Sequence, residues 1–223
     1  MVNPIGPTNT VNTGNGNDNV HISKATGIPG LLGLYEVNIN GNTQYMTKQQ
    51  LENTQFNLGA GNDTLVVDSN VSADIHANGG KGDDVMVGGK GDDDLHGGKG
   101  NDVIAGRGGN DHIDGGKGQD VLFGGAGRDH IDGGKGSDYI DAGAGNDTVH
   151  AGAGNDTVYG RGGNDWLDAG SGNDYVSGGS GDDVALGRSG HDHLDGNSGN
   201  DLLIGGQGFD QLHGGAGFDW KIY

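Results

Sequence analysis

The chain has no cysteine, which excludes disulfide staples and cysteine-ligated zinc. Aromatic residues are 5% of it and apolar residues 30%, and no run of about 18 apolar residues could span a bilayer. No membrane span is therefore expected. The opening MVNPIGPTNT lacks the basic start and apolar stretch of a Sec signal. Basic residues are also scarce, 12 against 31 acidic ones, for a formal net charge of -19. That balance argues against nucleic acid, whose phosphates need a basic surface, and leaves cations as the natural counter-charge. The only two glutamates, Glu36 and Glu52, have no histidine beside them, so H-E-x-x-H is absent, and G-x-S-x-G is absent as well. No catalytic motif is found, and the chain is read as a non-enzyme. Low apolar content and high charge would by themselves suit a disordered chain.

What is present is glycine, 52 residues of it, in a strict period. Gly79 to Ile222 is 144 residues, which divide into 16 contiguous units of nine without insertion. The first is GGKGDDVMV and the third GGKGNDVIA. The fourth position is glycine and the sixth aspartate in all 16; the eighth is apolar in 15, with Lys221 the exception. Glycines reach positive φ and leave amides and carbonyls uncrowded, so the first six residues of a unit read as a turn. The last three read as a very short strand whose middle side chain points inward.

One apolar residue in nine cannot build a core alone. Two units per coil, with strands on opposite sides, would bring the inward residues together and repeat every 18 residues. One stack would then be Met86, Ile104, Leu122, Ile140, Val158, Val176, Leu194 and Leu212. The other would be Leu95, Ile113, Ile131, Val149, Leu167, Ala185 and Leu203. Positions seven and nine would face outward.

The unit, G-G-x-G-x-D-x-U-x, resembles the RTX (repeats-in-toxin) calcium-binding family, over about two thirds of the chain. The resemblance implies an all-β, right-handed parallel β-roll with two nonapeptides per coil and calcium held between stacked turns. The metal ligands it implies are Asp84, Asp93, Asp102, Asp111, Asp120, Asp129, Asp138, Asp147, Asp156, Asp165, Asp174, Asp183, Asp192, Asp201, Asp210 and Asp219. Backbone oxygen would come from the turn glycines Gly82, Gly91, Gly100, Gly109, Gly118, Gly127, Gly136, Gly145, Gly154, Gly163, Gly172, Gly181, Gly190 and Gly199. Calcium takes six to eight oxygens and accepts carboxylates and carbonyls together, so two rows of eight turns would hold at most about 14 ions. Aspartates 18 apart should share an ion, and neighbours nine apart should not.

Residues 1–78 are expected to be an irregular, β-rich N-terminal cap on a roll spanning 79–223. GNGNDNV and GAGNDTL copy the unit, but Asp63 lies 21 residues before Asp84, out of phase, and the sequence leaves Asp18 and Asp63 unassigned. LYEVNINGNTQYMT alternates about Asn40-Gly41, a hairpin signal. TKQQLEN can open a helical turn with Thr47 and Gln50 as a capping pair. At the other end GFDWKIY closes the sequence, and either its aromatics act as a makeshift cap or the chain is a fragment.

Outward positions carry whatever specificity exists. Even units read Asp94/His96, His112/Asp114, His130/Asp132 and Thr148/His150, a face of imidazole and carboxylate. Lys81, Lys99, Lys117 and Lys135 form a ladder able to meet a polyanion. Outward apolar residues such as Val85 and Val103 should lie partly under the cap. Those of the last even units, Val184, Leu186, Leu202, Ile204, Trp220 and Ile222, should meet a second copy or a C-terminal flank. The functional expectation is a calcium-dependent folding or binding module, secreted and extracellular. A polysaccharide-binding accessory module of an enzyme or adhesin is the alternative.

Overall fold

The computed structural model describes residues 9–26 and 33–223. Its chain winds into a parallel β-solenoid of about nine turns, the β-roll architecture. Among the described residues two sheets face each other, one of 11 strands and one of 12. From Thr54 onward strands alternate between them along the chain, so each pairs in parallel with the strand one coil away. Ile104 lies beside Leu122, and Ile113 beside Ile131, an 18-residue register. Both expected inner stacks form and are buried. Lys221 falls outside them, exposed at the end of its row.

The strands are longer than the sequence suggests. His112–Lys117 and Val121–Ala126 are typical, six residues each, running from position seven of one unit through position three of the next. Only positions four to six remain as turn. The glycines at positions one and two continue the ladder because nothing projects from them toward the neighbouring coil. At Gly116, with φ 96°, a Cβ would lie 2.5 Å from the carbonyl oxygen of Gly98. A side chain there would push the coils apart.

The N-terminal region continues the same coil. Leu34–Ile39 and Asn42–Thr47 form the expected hairpin, and Asn40 and Gly41 both take positive φ, 51° and 82°, as a tight two-residue turn requires. Thr47 caps the short helix Lys48–Glu52. The Gln50 amide donates to Thr47 Oγ1 and the Thr47 amide to Gln50 Oε1.

These elements are an insertion in a widened coil. Val20 pairs with Leu65, and Leu65 with Met86, so the inner stack runs unbroken through both widened coils. Asn70–Asn78 already lies in register with the roll, Ala77 pairing with Leu95. The described cap residues lengthen the sheets and do not fold over their outer faces. Val85 and Val103 accordingly stay 38% exposed, contrary to the expectation that the cap covers them. No helix among the described residues is long and apolar enough to cross a membrane.

Candidate metal centre

Position six ends the three-residue turn, and its side chain points into the turn, because strand pairing begins at position seven and fixes the direction of the residue before it. Asp84 through Asp201 are buried, each at 3% exposure or less. Asp210 and Asp219 occupy the same place in the last coil and are half-buried.

The two oxygens of each carboxylate differ. Oδ1 accepts the backbone amide of the aspartate 18 residues earlier: Asp102 N donates to Asp120 Oδ1 at 2.7 Å, and Asp111 N to Asp129 Oδ1 at 2.8 Å. Oδ2 has no partner. Among the described residues, 15 aspartates bury an Oδ2 without a hydrogen bond, and 13 of them are position-six residues of the regular units. In the turn of Asp120 that oxygen lies 2.6 Å from where a Cβ on Gly115 would stand, and the carbonyl oxygen of Gly133 lies 2.8 Å from the same point. An anionic oxygen therefore faces another oxygen inside a dry turn. An unmet buried carboxylate is costly, and either a proton or a cation must compensate it.

The electrostatics agree. Burial pushes Asp102, Asp111, Asp129, Asp138, Asp174 and Asp183 up to about 7, the amide hydrogen bond opposing and the neighbouring carboxylates adding to the rise. Burial likewise raises Asp84 and Asp165 to about 6. Hard oxygen donors and no nitrogen or sulfur suit a cation of calcium's type, which accepts carboxylate and carbonyl together. The residues present fit that ion.

The sequence-derived ligands fall into two rows, one on each side of the roll. Asp84, Asp102, Asp120 and every second aspartate to Asp210 make the first; Asp93, Asp111, Asp129 and on to Asp219 make the second. Aspartates 18 apart are neighbours, and aspartates nine apart stand in opposite rows. The turn glycines Gly82 and Gly100 to Gly199 share a positive φ. Gly91 does not, and the residue it faces one coil earlier is Ala73 and not a glycine.

Two further aspartates join the first row. Asp63 N donates to Asp84 Oδ1 at 2.8 Å and Asp18 N to Asp63 Oδ1 at 2.7 Å, and both have the orphaned Oδ2. Counting by nines hides them, since three extra residues, Val67 to Ser69, follow the unit of Asp63. Aligning GNGNDNV and GAGNDTL on their aspartates would have found them.

The second row begins differently. Ile75 takes the place an aspartate should have, its amide donating to Asp93 Oδ1 at 2.8 Å. Asp93 Oδ2 accepts from Gly89 N at 2.8 Å, so this carboxylate leaves no orphan.

No curated protein matches the chain. The model of the RTX calcium-binding nonapeptide repeat matches segments that together span residues 76–220. The chain is a calcium-binding repeat module and belongs to the RTX nonapeptide repeat family.

Proposed function

We propose that the protein is the calcium-dependent folding module of a secreted RTX protein, extended where free calcium is scarce and folded outside the cell. The observation that carries this reading is the row of buried, unpartnered Oδ2 atoms. Calcium between successive turns would meet each of them, with the position-six aspartates as carboxylate ligands and the glycine-rich turns giving carbonyl oxygen. Repulsion among these aspartates becomes cohesion, and binding free energy becomes folding free energy. The regular units would take up to about 14 ions, and Asp18 and Asp63 extend the first row by two more gaps. The roll then acts as a scaffold and not as an enzyme.

Circular dichroism at neutral pH tests this. The spectrum should be β-rich in millimolar calcium and unfolded-like in chelator, with magnesium a poor substitute because it demands a tighter octahedron and sheds water reluctantly. A chelated sample with an unchanged β spectrum would overturn the reading.

A second reading, an accessory module for acidic polysaccharide, is favoured by one feature. Lys81, Lys99, Lys117 and Lys135 lie side by side on successive strands, all exposed. Salt-sensitive binding of a uronic-acid polymer, lost when these lysines become glutamine, would support it. The apolar face of Val184, Leu202, Ile204, Trp220 and Ile222 suits a second copy or a C-terminal flank, with Trp220 at 74% exposure and Leu186 already buried among its neighbours. Light scattering on the calcium-loaded protein should show a dimer or larger.

A further inference from the structure

The outer face of the 11-stranded sheet carries a checkerboard of histidine and aspartate that the calcium turns do not use. One row runs His76, Asp94, His112, His130, and the row two residues on runs His96, Asp114, Asp132, His150, each residue beside its neighbour on the next strand. These side chains project away from the turns, so whatever they bind is separate from the calcium rows.

Most of the face is satisfied internally. His96 spans two carboxylates with different ring nitrogens, Nε2 to Asp94 Oδ1 at 3.0 Å and Nδ1 to Asp114 Oδ2 at 3.4 Å, which is a hydrogen-bonded bridge and not a chelate. His112 lies flat against His130, ring centroids 5.2 Å apart and planes 12° from parallel, so the two rings aim their nitrogens alongside each other.

His130 meets a single carboxylate, Nε2 lying 3.4 Å from Asp132 Oδ2, and His150 joins this pair from the next strand. His130 and Asp132 are two residues apart on one strand and share its outer face, and His150 is the direct cross-strand partner of Asp132. The rings of His130 and His150 stand nearly edge-on, at 73° with centroids 5.6 Å apart, so their lone pairs can converge. One ligand atom from each of the three residues lies within 4.8 Å of the other two. Among the described residues no other group of histidine and carboxylate meets that condition.

We infer that His130, Asp132 and His150 form a site for a borderline divalent cation of the zinc, nickel or copper type, clipping two adjacent coils from outside. Two imidazoles and one carboxylate select such ions over calcium, which prefers an all-oxygen shell. Three protein ligands leave a fourth position to solvent. The stacked ring of His112 fixes the plane of His130 and so orients its nitrogen.

The test uses the full calcium-loaded chain in millimolar calcium, titrated with zinc by calorimetry and with copper by electron paramagnetic resonance. One zinc per chain should bind, and His130→Gln and His150→Gln should each weaken it by at least about tenfold, while His193→Gln on the opposite sheet should not. Copper should show coupling to two imidazole nitrogens in the parent and to one in either variant. The calcium-dependent β spectrum of each variant must match the parent, which the half-exposed or exposed positions of both residues allow. Absence of a stoichiometric zinc site, or an equal loss from His96→Gln and His150→Gln, would overturn the assignment. Neither result bears on calcium-coupled folding, which is read with chelator alone.

Discussion

The two rows of turns begin at different places, and the difference shows what an aspartate at position six is for. The first row extends through the widened coils to Asp18: Oδ1 of Asp84 and of Asp63 accepts the amide of the aspartate before it, Asp18 Oδ1 accepts from Asn40 Nδ2 at 2.6 Å, and all three keep Oδ2 unmet. The second row stops at Asp93. Val67, Val71, Ala73 and Ile75, all fully buried, fill the space beneath it with aliphatic side chains. Where an ion would leave off, an ordinary hydrophobic plug takes over, and Asp93 turns its second oxygen to the Gly89 amide. On the proposed function the turns would be held by one of two means, cation or apolar packing, with position six deciding which.

The largest effect expected is the loss of the whole roll on calcium removal at neutral pH, and acid should partly reverse it. In the ion-free folded chain burial holds carboxylates such as Asp102 and Asp129 near 7, far above the ordinary aspartate value of about 3.9. The folded form therefore binds protons that the unfolded chain releases between those limits. Its stability is fully present below about pH 4 and is lost as pH rises through about 7. A chelated sample, unfolded-like at about pH 8, should regain β signal near pH 5.5. With calcium present the order inverts, and calcium affinity should climb as pH rises through 7. A chelated chain with the same spectrum at both pH values would refute this account.

Single aspartates come next, and here the rows are set against each other. Asp120→Ala removes a carboxylate shared by two gaps and strands the Asp102 amide, a buried donor whose loss costs about 1–3 kcal/mol even without the ion. Calcium counted by equilibrium dialysis should fall by two. Asp63→Ala should do the same despite lying before the matched repeats, because it has a neighbour on each side in its row. Asp93→Ala and Asp219→Ala, at row ends, should each lose one. Equal losses at all four positions would break the distinction between row interior and row end.

Much of this was legible in the sequence, and the reason is the period. The 18-residue register, both inner stacks, the paired aspartates and the Asn40-Gly41 hairpin follow from residues repeated often enough to fix their own spacing. The start of each row was not legible. Three extra residues at Val67 shift the phase, and Asn70–Asn78 keeps the shape of a unit without its aspartate or its glycines. Shape there is carried by Val71 and Ile75 packing inward, which a search for glycine and aspartate passes over. Strand length was misjudged for a related reason, since glycine reads as turn although positions one and two pair across coils.

The smallest effects concern position two, where arginine replaces glycine in three units. Arg107, Arg161 and Arg188 take positive φ of 78°, 76° and 71°, a strain of about 1–2 kcal/mol for a residue with a Cβ. Arg188 leads into the first-row turn of Asp192, deep in the run of regular coils, and hydrogen-bonds Asp168, Nη2 to Oδ2 at 2.6 Å, with its own side chain 56% exposed. An exposed pair of that kind contributes about 0–1 kcal/mol. Relief of strain is offset by loss of the pair and by the roughly 0.5–1 kcal/mol of backbone entropy that a glycine costs on folding, so Arg188→Gly is expected to change stability in saturating calcium by less than about 0.5 kcal/mol. Arg107 sits beside the apolar plug, where Nη1 donates to the carbonyl of Val67 at 2.7 Å and to that of Gly88 at 3.2 Å. Those carbonyls lie where the second row starts, and the guanidinium ties the plug to the first regular coils. Arg107→Gly gains the same relief of strain but loses both bonds, for a net destabilisation of about 1 kcal/mol. Urea melts of the two variants side by side measure the difference. If Arg107→Gly proves no worse than Arg188→Gly, the arginine does not close the row, and the plug of Val67, Val71, Ala73 and Ile75 holds that end by itself.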